Sequence, residues 1–185
     1  MNVYDFDHTI YRGDSSLDFF FFALRRKPYL AVLAPFQAWG VMLYLFRLIS
    51  KETMKAYIFC FIRFIPTEVM AGEFWKKRRR NIKPWYMRQR QEQDVIISAS
   101  PEFLLEPLVK EYLHCALIAS KIDPKTGVYD GKNCYGEEKV RRFREMYGGE
   151  KIDNFYSDDY ADMPLMRIAE YAFLVKKDKI IKMEI

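Results

Sequence analysis

Cysteine is scarce and unpatterned in this chain. Among 185 residues there are three, Cys60, Cys115 and Cys134, odd in number and widely spaced. No C-x-x-C pair and no Cys/His cluster of zinc type occurs, so a structural zinc is not expected and a reducing cytosol is. The opening residues "MNVYDFDHTI" lack a basic segment followed by an apolar one. No signal peptide is therefore expected, and the location that follows is cytoplasmic. Internal repeats and low-complexity tracts are also missing. So is a strong charge imbalance: 30 Lys and Arg stand against 25 Asp and Glu, a net +5, with 50% of residues hydrophobic. This excludes the disordered class and leaves a globular, mildly basic chain suited to anionic partners. Nucleic acid is not expected among them. The aromatics Phe19 to Phe22 run consecutively without interleaved basic positions, and the run Lys76 to Arg80 has the ordinary character of a solvated helix face.

The length suits one α/β domain with an insertion. Short apolar runs at 2–6, 94–100, 115–120, 154–158 and 171–176 end in small or polar residues, as buried parallel strands do. Helical patterns lie between them: "PEFLLEPLVKEYL", with Pro101 at the first helical position, and "GEEKVRRFREMY", with Val140, Phe143 and Tyr147 at helical spacing. Alternating strand and helix predicts a Rossmann-like, doubly wound parallel sheet. The segment 121–132 carries Asp-Pro and Thr-Gly punctuation and predicts a β-hairpin excursion. Residues 15–80, aromatic and helical in period and punctuated by Pro28, Pro35 and Pro66, predict a helical cap inserted into a core formed by 1–14 and 81–185.

Within that cap, Tyr29 to Phe46 is a stretch without formal charge, flanked by Arg25, Arg26, Lys27 and Arg47. It touches the length of a membrane-spanning segment. A single crossing would separate Asp5 from Ser98, so the segment is either buried inside the cap or lies on an anionic membrane surface.

In open α/β sheets ligands bind beyond the carboxyl ends of the strands, and the polar residues Asp5, Asp7, Ser98, Ser100, Asp158, Asp159 and Asp162 all fall there. Carboxylates gathered in one pocket repel one another unless a hard cation joins them, so the cluster predicts Mg²⁺. Lys139 opens a helix, where the dipole disfavours a cation; a carboxylate or phosphate in the site would explain it. Singly, each residue has a plainer use: Asp5 and Asp7 as turn caps, Ser98 and Ser100 as strand-end or helix-capping residues. For Ser100 the capping role is the expectation. His8 is expected to serve the loop, His114 to be structural, and "GDSS" at 13–16 to be a turn and helix cap.

The ordered stretches "DFDHT", "ISASPEF", "GEEKV" and "YSDDYADMP" resemble the four motifs of the haloacid dehalogenase superfamily of phosphohydrolases, in its subfamily similar to phosphoserine phosphatase. The resemblance implies a phosphomonoesterase with Asp5 as nucleophile, forming an aspartyl-phosphate, and Asp7 as general acid and then base. It further implies Lys139 as the charge that neutralises Asp5 and the phosphoryl group. Ser98 and the Ala99 backbone N–H would bind phosphate, and Asp5, the Asp7 carbonyl and Asp158 would hold Mg²⁺. Thr9 would prop the loop and Asp162 support the metal site. Ser157-Asp158-Asp159 departs from the family's common Gly-Asp-Ser, and Asp159 receives no role. "LRRKPYLAVLAPF" with its aromatic insert resembles the cap of bacterial phosphatidylglycerophosphate phosphatases of the same superfamily, which adds a phospholipid phosphate to phosphorylated small molecules as a substrate. The alternative is a catalytically silent lipid- or protein-binding module on this fold.

Overall fold

The computed structural model describes residues 1–184, with Lys51 by its backbone alone. Six strands form one sheet: β1 (Asn2–Tyr4), β2 (Val95–Pro101), β3 (Ala116–Ser120), β4 (Ile152–Ser157), β5 (Ala169–Lys176) and β6 (Lys179–Met183). Their order is β3-β2-β1-β4-β5-β6, all neighbours parallel except the β5–β6 pair.

Alternation along the strands sends successive side chains to opposite faces. Tyr4, Ile96 and Tyr156 join one buried cluster, whereas Val3, Val95, Ile97 and Phe155 join the other. The first face is covered by α1 (Ser15–Arg26), α4 (Thr67–Arg78), α5 (Pro84–Gln89) and α6 (Glu102–Leu108); the second by α7 (Glu137–Tyr147) and α8 (Met163–Met166). The sheet is therefore doubly wound, as the strand–helix alternation predicts, and its order reverses beside β1. Asp5 continues the ladder past β1, its N–H donating to Tyr156 O at 2.8 Å.

Two local expectations need correction. Pro101 does not open a helix: at φ −60° and ψ 133° it finishes β2, paired in register with Ser120, and α6 starts one residue later. Proline's fixed φ suits both states, so the neighbouring strand decides. Nor does 101–113 form one regular helix. Pro107 removes a donor inside α6, and the chain widens into a π-turn over Val109–Leu113 that ends at His114 with φ +50°. The edge strand β6 has no counterpart among the five expected strands. The hairpin excursion is present: Ile122 faces Tyr129, and Asp123 N donates to Val128 O at 2.9 Å.

Between β1 and β2 the insertion runs through α1, a 3₁₀ stretch (Pro28–Leu33), α2 (Ala34–Leu45), α3 (Lys51–Phe59) and α4, with Pro28, Pro35 and Pro66 at the breaks. Phe19, Phe74 and Trp75 of α1 and α4 share a cluster with Phe6 and Leu104, and Trp75 Nε1 donates to Leu104 O. Helices α2 and α3 pack on one another as a hairpin, and Phe59 at the end of α3 joins the same cluster. A Cβ on Gly40 would lie 2.3 Å from Tyr57 Cγ, which is why the two helices approach so closely there. The apolar stretch is not buried by its own cap. Of Pro28–Leu45, with mean hydropathy 1.3, only 11% is buried, and Phe36, Trp39, Leu45 and Phe46 are exposed.

Candidate active site

Four consecutive features of the first loop set the site. Asp5 closes the ladder of β1. Phe6 O then accepts from Ile10 N and Tyr11 N at 3.0 and 2.9 Å, a single tight turn that carries Asp7, His8 and Thr9. His8 takes φ +57°, a left-handed conformation that lets the chain reverse between Asp7 and Thr9. Asp14 ends the loop as the cap of α1, accepting from Leu17 N at 2.8 Å.

Lys139 is the electrostatic centre. It is 2% exposed on α7, and its Nζ lies 2.6 Å from Asp5 Oδ1 and 2.7 Å from Asp162 Oδ2. Its unfavourable place near a helix start is thus offset by two carboxylates, as expected from the sequence. Burial opposes its charge, but Asp5 and Asp162 outweigh that and raise its pKa. Asp5 is raised as well, by burial first, with Lys139 opposing and Asp162 adding. Ser157 Oγ donates to Asp162 Oδ2 at 2.7 Å, so Asp162 is occupied by Lys139 and Ser157.

Thr9, wholly buried, ties the loop to the end of β4. Its Oγ1 accepts from Asp158 N at 2.9 Å and lies 3.2 Å from Asp5 Oδ2 and 3.3 Å from Asp158 Oδ1. One hydroxyl therefore sits between the two carboxylates expected to share a metal. Asp7 Oδ1 accepts from Ser15 N at 2.7 Å, and Oδ2 accepts from Ser100 Oγ. Burial, then the nearby Asp14 charge, pushes the Asp7 carboxyl up to about 6. Ser98 Oγ accepts from Ser100 N at 3.0 Å, which leaves its own proton available to another acceptor. Asp159 caps the next turn, its Oδ1 accepting from Ala161 N at 3.0 Å.

These residues line one cavity of about 410 Å³ that contains Asp5, Asp7, Ser98, Ala99, Lys139, Asp158 and Asp162; Thr9 is buried directly behind it. The insertion contributes Leu17, Phe20, Lys55, Ile58 and Phe59 to its walls. Ser100 lies at the site in another role than the expected one, and two further contributors escaped the sequence. Ser100 bonds Asp7 instead of merely capping a helix. Ser157 fixes Asp162. Lys83, almost fully buried, donates from Nζ to His8 O and Lys177 O, holding the loop to the β5–β6 turn. Burial lowers the Lys83 pKa, with no local sequence pattern to announce it.

Six aspartates line the cavity against Lys139 and Lys55, an excess of negative charge that fits a divalent cation. Among the described residues no three His, Cys, Asp or Glu side chains form a cage of their own. Two carboxylates with room for waters and substrate oxygens suit Mg²⁺, which rarely takes an all-protein shell.

The fold and this carboxylate–lysine centre define a doubly wound α/β domain with an acidic site at the carboxyl ends of its strands. The chain belongs to the haloacid dehalogenase-like hydrolase family, whose sequence model matches residues 3–167. It is similar to a protein of unknown function from Bordetella pertussis Tohama I, with TM-score 0.73 and 19% identity over 93% of this chain and 87% of that one. A phosphoserine phosphohydrolase-like protein from Francisella tularensis superposes with TM-score 0.56 and 17% identity over 93% of this chain and 86% of that one. Protein CicA of Caulobacter vibrioides is 32% identical over 82 residues, 41% of this chain and 37% of that protein, so the match spans well under two thirds of that relative's length. The family model makes the chain a haloacid dehalogenase-like hydrolase, and the solved structures share its fold.

Proposed function

We propose that the protein is a Mg²⁺-dependent phosphomonoesterase that works through an aspartyl-phosphate on Asp5. The observation that carries this is the contact of Asp5 with buried Lys139 at 2.6 Å, in a cavity whose wall also holds Asp7. Asp5 attacks phosphorus, and the bond from phosphorus to the ester oxygen breaks as Asp7 passes its proton to that oxygen. Water then attacks the aspartyl-phosphate and gives one of its protons to the Asp7 carboxylate. The bond from phosphorus to Asp5 breaks, and phosphate leaves. Lys139 offsets charge on Asp5 and on the phosphoryl oxygens, and Ser98 with the Ala99 N–H binds those oxygens. Asp5, Asp158 and the Asp7 carbonyl would hold Mg²⁺, which supplies charge neutralisation and orientation of the phosphate when bound.

The substrate is a phosphorylated small molecule or a phospholipid phosphate, and one observation favours the second. The apolar helix α2 is exposed on the insertion whose neighbouring helix α3 contributes Lys55, Ile58 and Phe59 to the cavity. Arg26 pairs with Glu73 at 2.9 Å, and both Arg26 and Lys77 lie over the Phe22 ring, so the two basic runs adjoin on one surface. Exposed aromatics beside cations suit peripheral docking on an anionic membrane from its cytoplasmic side. Three free cysteines accord with a reducing compartment.

The test is hydrolysis of p-nitrophenyl phosphate by the wild type and by Asp5→Asn, with Mg²⁺ and with chelator. Activity that needs Mg²⁺ and vanishes in Asp5→Asn is expected. Metal-independent hydrolysis, or full activity in the variant, would overturn the mechanism, and absence of any hydrolysis would leave the silent binding module in its place.

A further inference from the structure

We infer that Ser100 is a positioning residue for the general acid, holding the Asp7 carboxyl in line with the leaving group and tying it to the first helix of the insertion. The inference rests on the phosphatase mechanism above and deepens it. Ser100 ends β2, whereas Asp7 lies on the β1 loop, 93 residues away in sequence, yet Ser100 Oγ donates to Asp7 Oδ2. The other oxygen, Oδ1, accepts the backbone N–H of Ser15 at 2.7 Å. With one bond on each oxygen, the carboxyl plane cannot turn freely about its last torsion, which is otherwise soft.

The donor is itself held. Ser15 Oγ and Ser16 Oγ lie 3.2 and 3.0 Å from Ser100 Oγ. A hydroxyl has one proton and two lone pairs; given to Asp7, that proton leaves both lone pairs for the two serines. Ser15 is wholly buried and Ser100 is 5% exposed, so water does not readily substitute for either partner. Ser15 and Ser16 are the first two residues of α1, capped by Asp14. The network thus sets the acid's direction from two elements at once: the end of a core strand and the start of the helix that enters the cap. Orientation matters because proton transfer requires the acid within hydrogen-bond reach of the ester oxygen as the bond breaks.

A positioning role makes a prediction that loss of folded protein does not. Alkyl phosphates need the acid, because an alkoxide leaves poorly; p-nitrophenyl phosphate hardly does. The ratio of kcat/KM for phenethyl phosphate to that for p-nitrophenyl phosphate therefore reads the acid alone, and a partly unfolded sample lowers both terms equally. Asp7→Asn should depress this ratio by about 100-fold or more. Ser100→Ala should depress it by about 10-fold, Ser100→Thr should recover most of the loss, and Ser100→Ala should add nothing to the ratio in the Asp7→Asn background. If Asp7→Asn depresses the ratio and Ser100→Ala leaves it at the wild-type value, the positioning role is wrong and the mechanism stands. If Asp7→Asn itself leaves the ratio unchanged, Asp7 is not the acid and both are wrong.

Discussion

Lys139 and Asp162, 23 residues apart in sequence, are joined at 2.7 Å in the interior, with Asp5 on the other side of the same ammonium at 2.6 Å. Removing Lys139 leaves two carboxylates buried without their cation. Lys139→Met should lower stability by about 3–5 kcal/mol and reduce phosphatase turnover by several orders of magnitude. Urea unfolding and aryl phosphate kinetics read the two effects. A variant as stable as the wild type would show that the ion pair is not the centre of the site.

Thr9 links Asp5 to Asp158 through one hydroxyl. Thr9→Val keeps the shape but strands the Asp158 N–H, which now donates to Thr9 Oγ1. The expected cost is about 1–3 kcal/mol, together with a higher Mg²⁺ concentration for half-maximal activity. A Mg²⁺ titration of the variant checks this, and an unchanged midpoint would detach Thr9 from the metal site.

Gly127 occupies φ +74° at the tip of the 121–132 excursion, and a Cβ there would meet Phe59 O at 2.8 Å. Arg63 Nε donates to Thr126 O at 2.7 Å beside it. Gly127→Ala should therefore cost about 1–3 kcal/mol and displace the end of α3, where Phe59 lines the cavity. A lower melting temperature with a raised KM is expected; an unchanged KM would mean that the hairpin does not position α3.

Glu138 carries the clearest pH signature away from the reacting groups. Its carboxylate accepts from Arg141 Nη2 at 2.6 Å and Arg142 Nε at 2.9 Å, and hydrogen bonding from Arg141 first holds its pKa down to about 2, against an ordinary 4.5. A depressed folded pKa stabilises fully above the unfolded value and is lost as pH falls through the folded one. Glu138→Gln should be less stable than the wild type at pH 7 by about 1 kcal/mol, Arg141 being half exposed, and the gap should narrow below pH 4.5. Urea midpoints at pH 7, 4 and 3 test this; a gap that widens in acid would refute it.

Membrane docking predicts binding to anionic phosphatidylglycerol vesicles that weakens as salt rises, and no comparable binding to neutral phosphatidylcholine vesicles. Replacing Arg25, Lys27, Lys76 and Lys77 by Gln should weaken it at least tenfold at low salt. Sedimentation with vesicles measures both. Equal binding to neutral and anionic vesicles would leave only apolar adsorption, and no binding would remove the membrane from the proposal.

Much of this molecule is local chemistry and therefore legible in one dimension. The runs that give way to Asp5 and Asp158 announce the ends of β1 and β4, because a buried parallel strand is apolar and changes character where it leaves the sheet. Helix α7 announces itself by Val140 and Phe143, and the breaks of the insertion by Pro28, Pro35 and Pro66. What depends on two distant segments meeting is silent in the sequence. Pro101 became strand because Ser120 lies beside it, since its fixed φ permits either state. Ser100 met Asp7, and Lys83 found two carbonyl oxygens, because the sheet order brings those loops to one edge. Whether Tyr29 to Phe46 is core or surface was equally undecided by its composition. Apolar residues gain free energy from any partner that excludes water, and the packing of α2 and α3 left Phe36, Trp39, Leu45 and Phe46 exposed among the described residues.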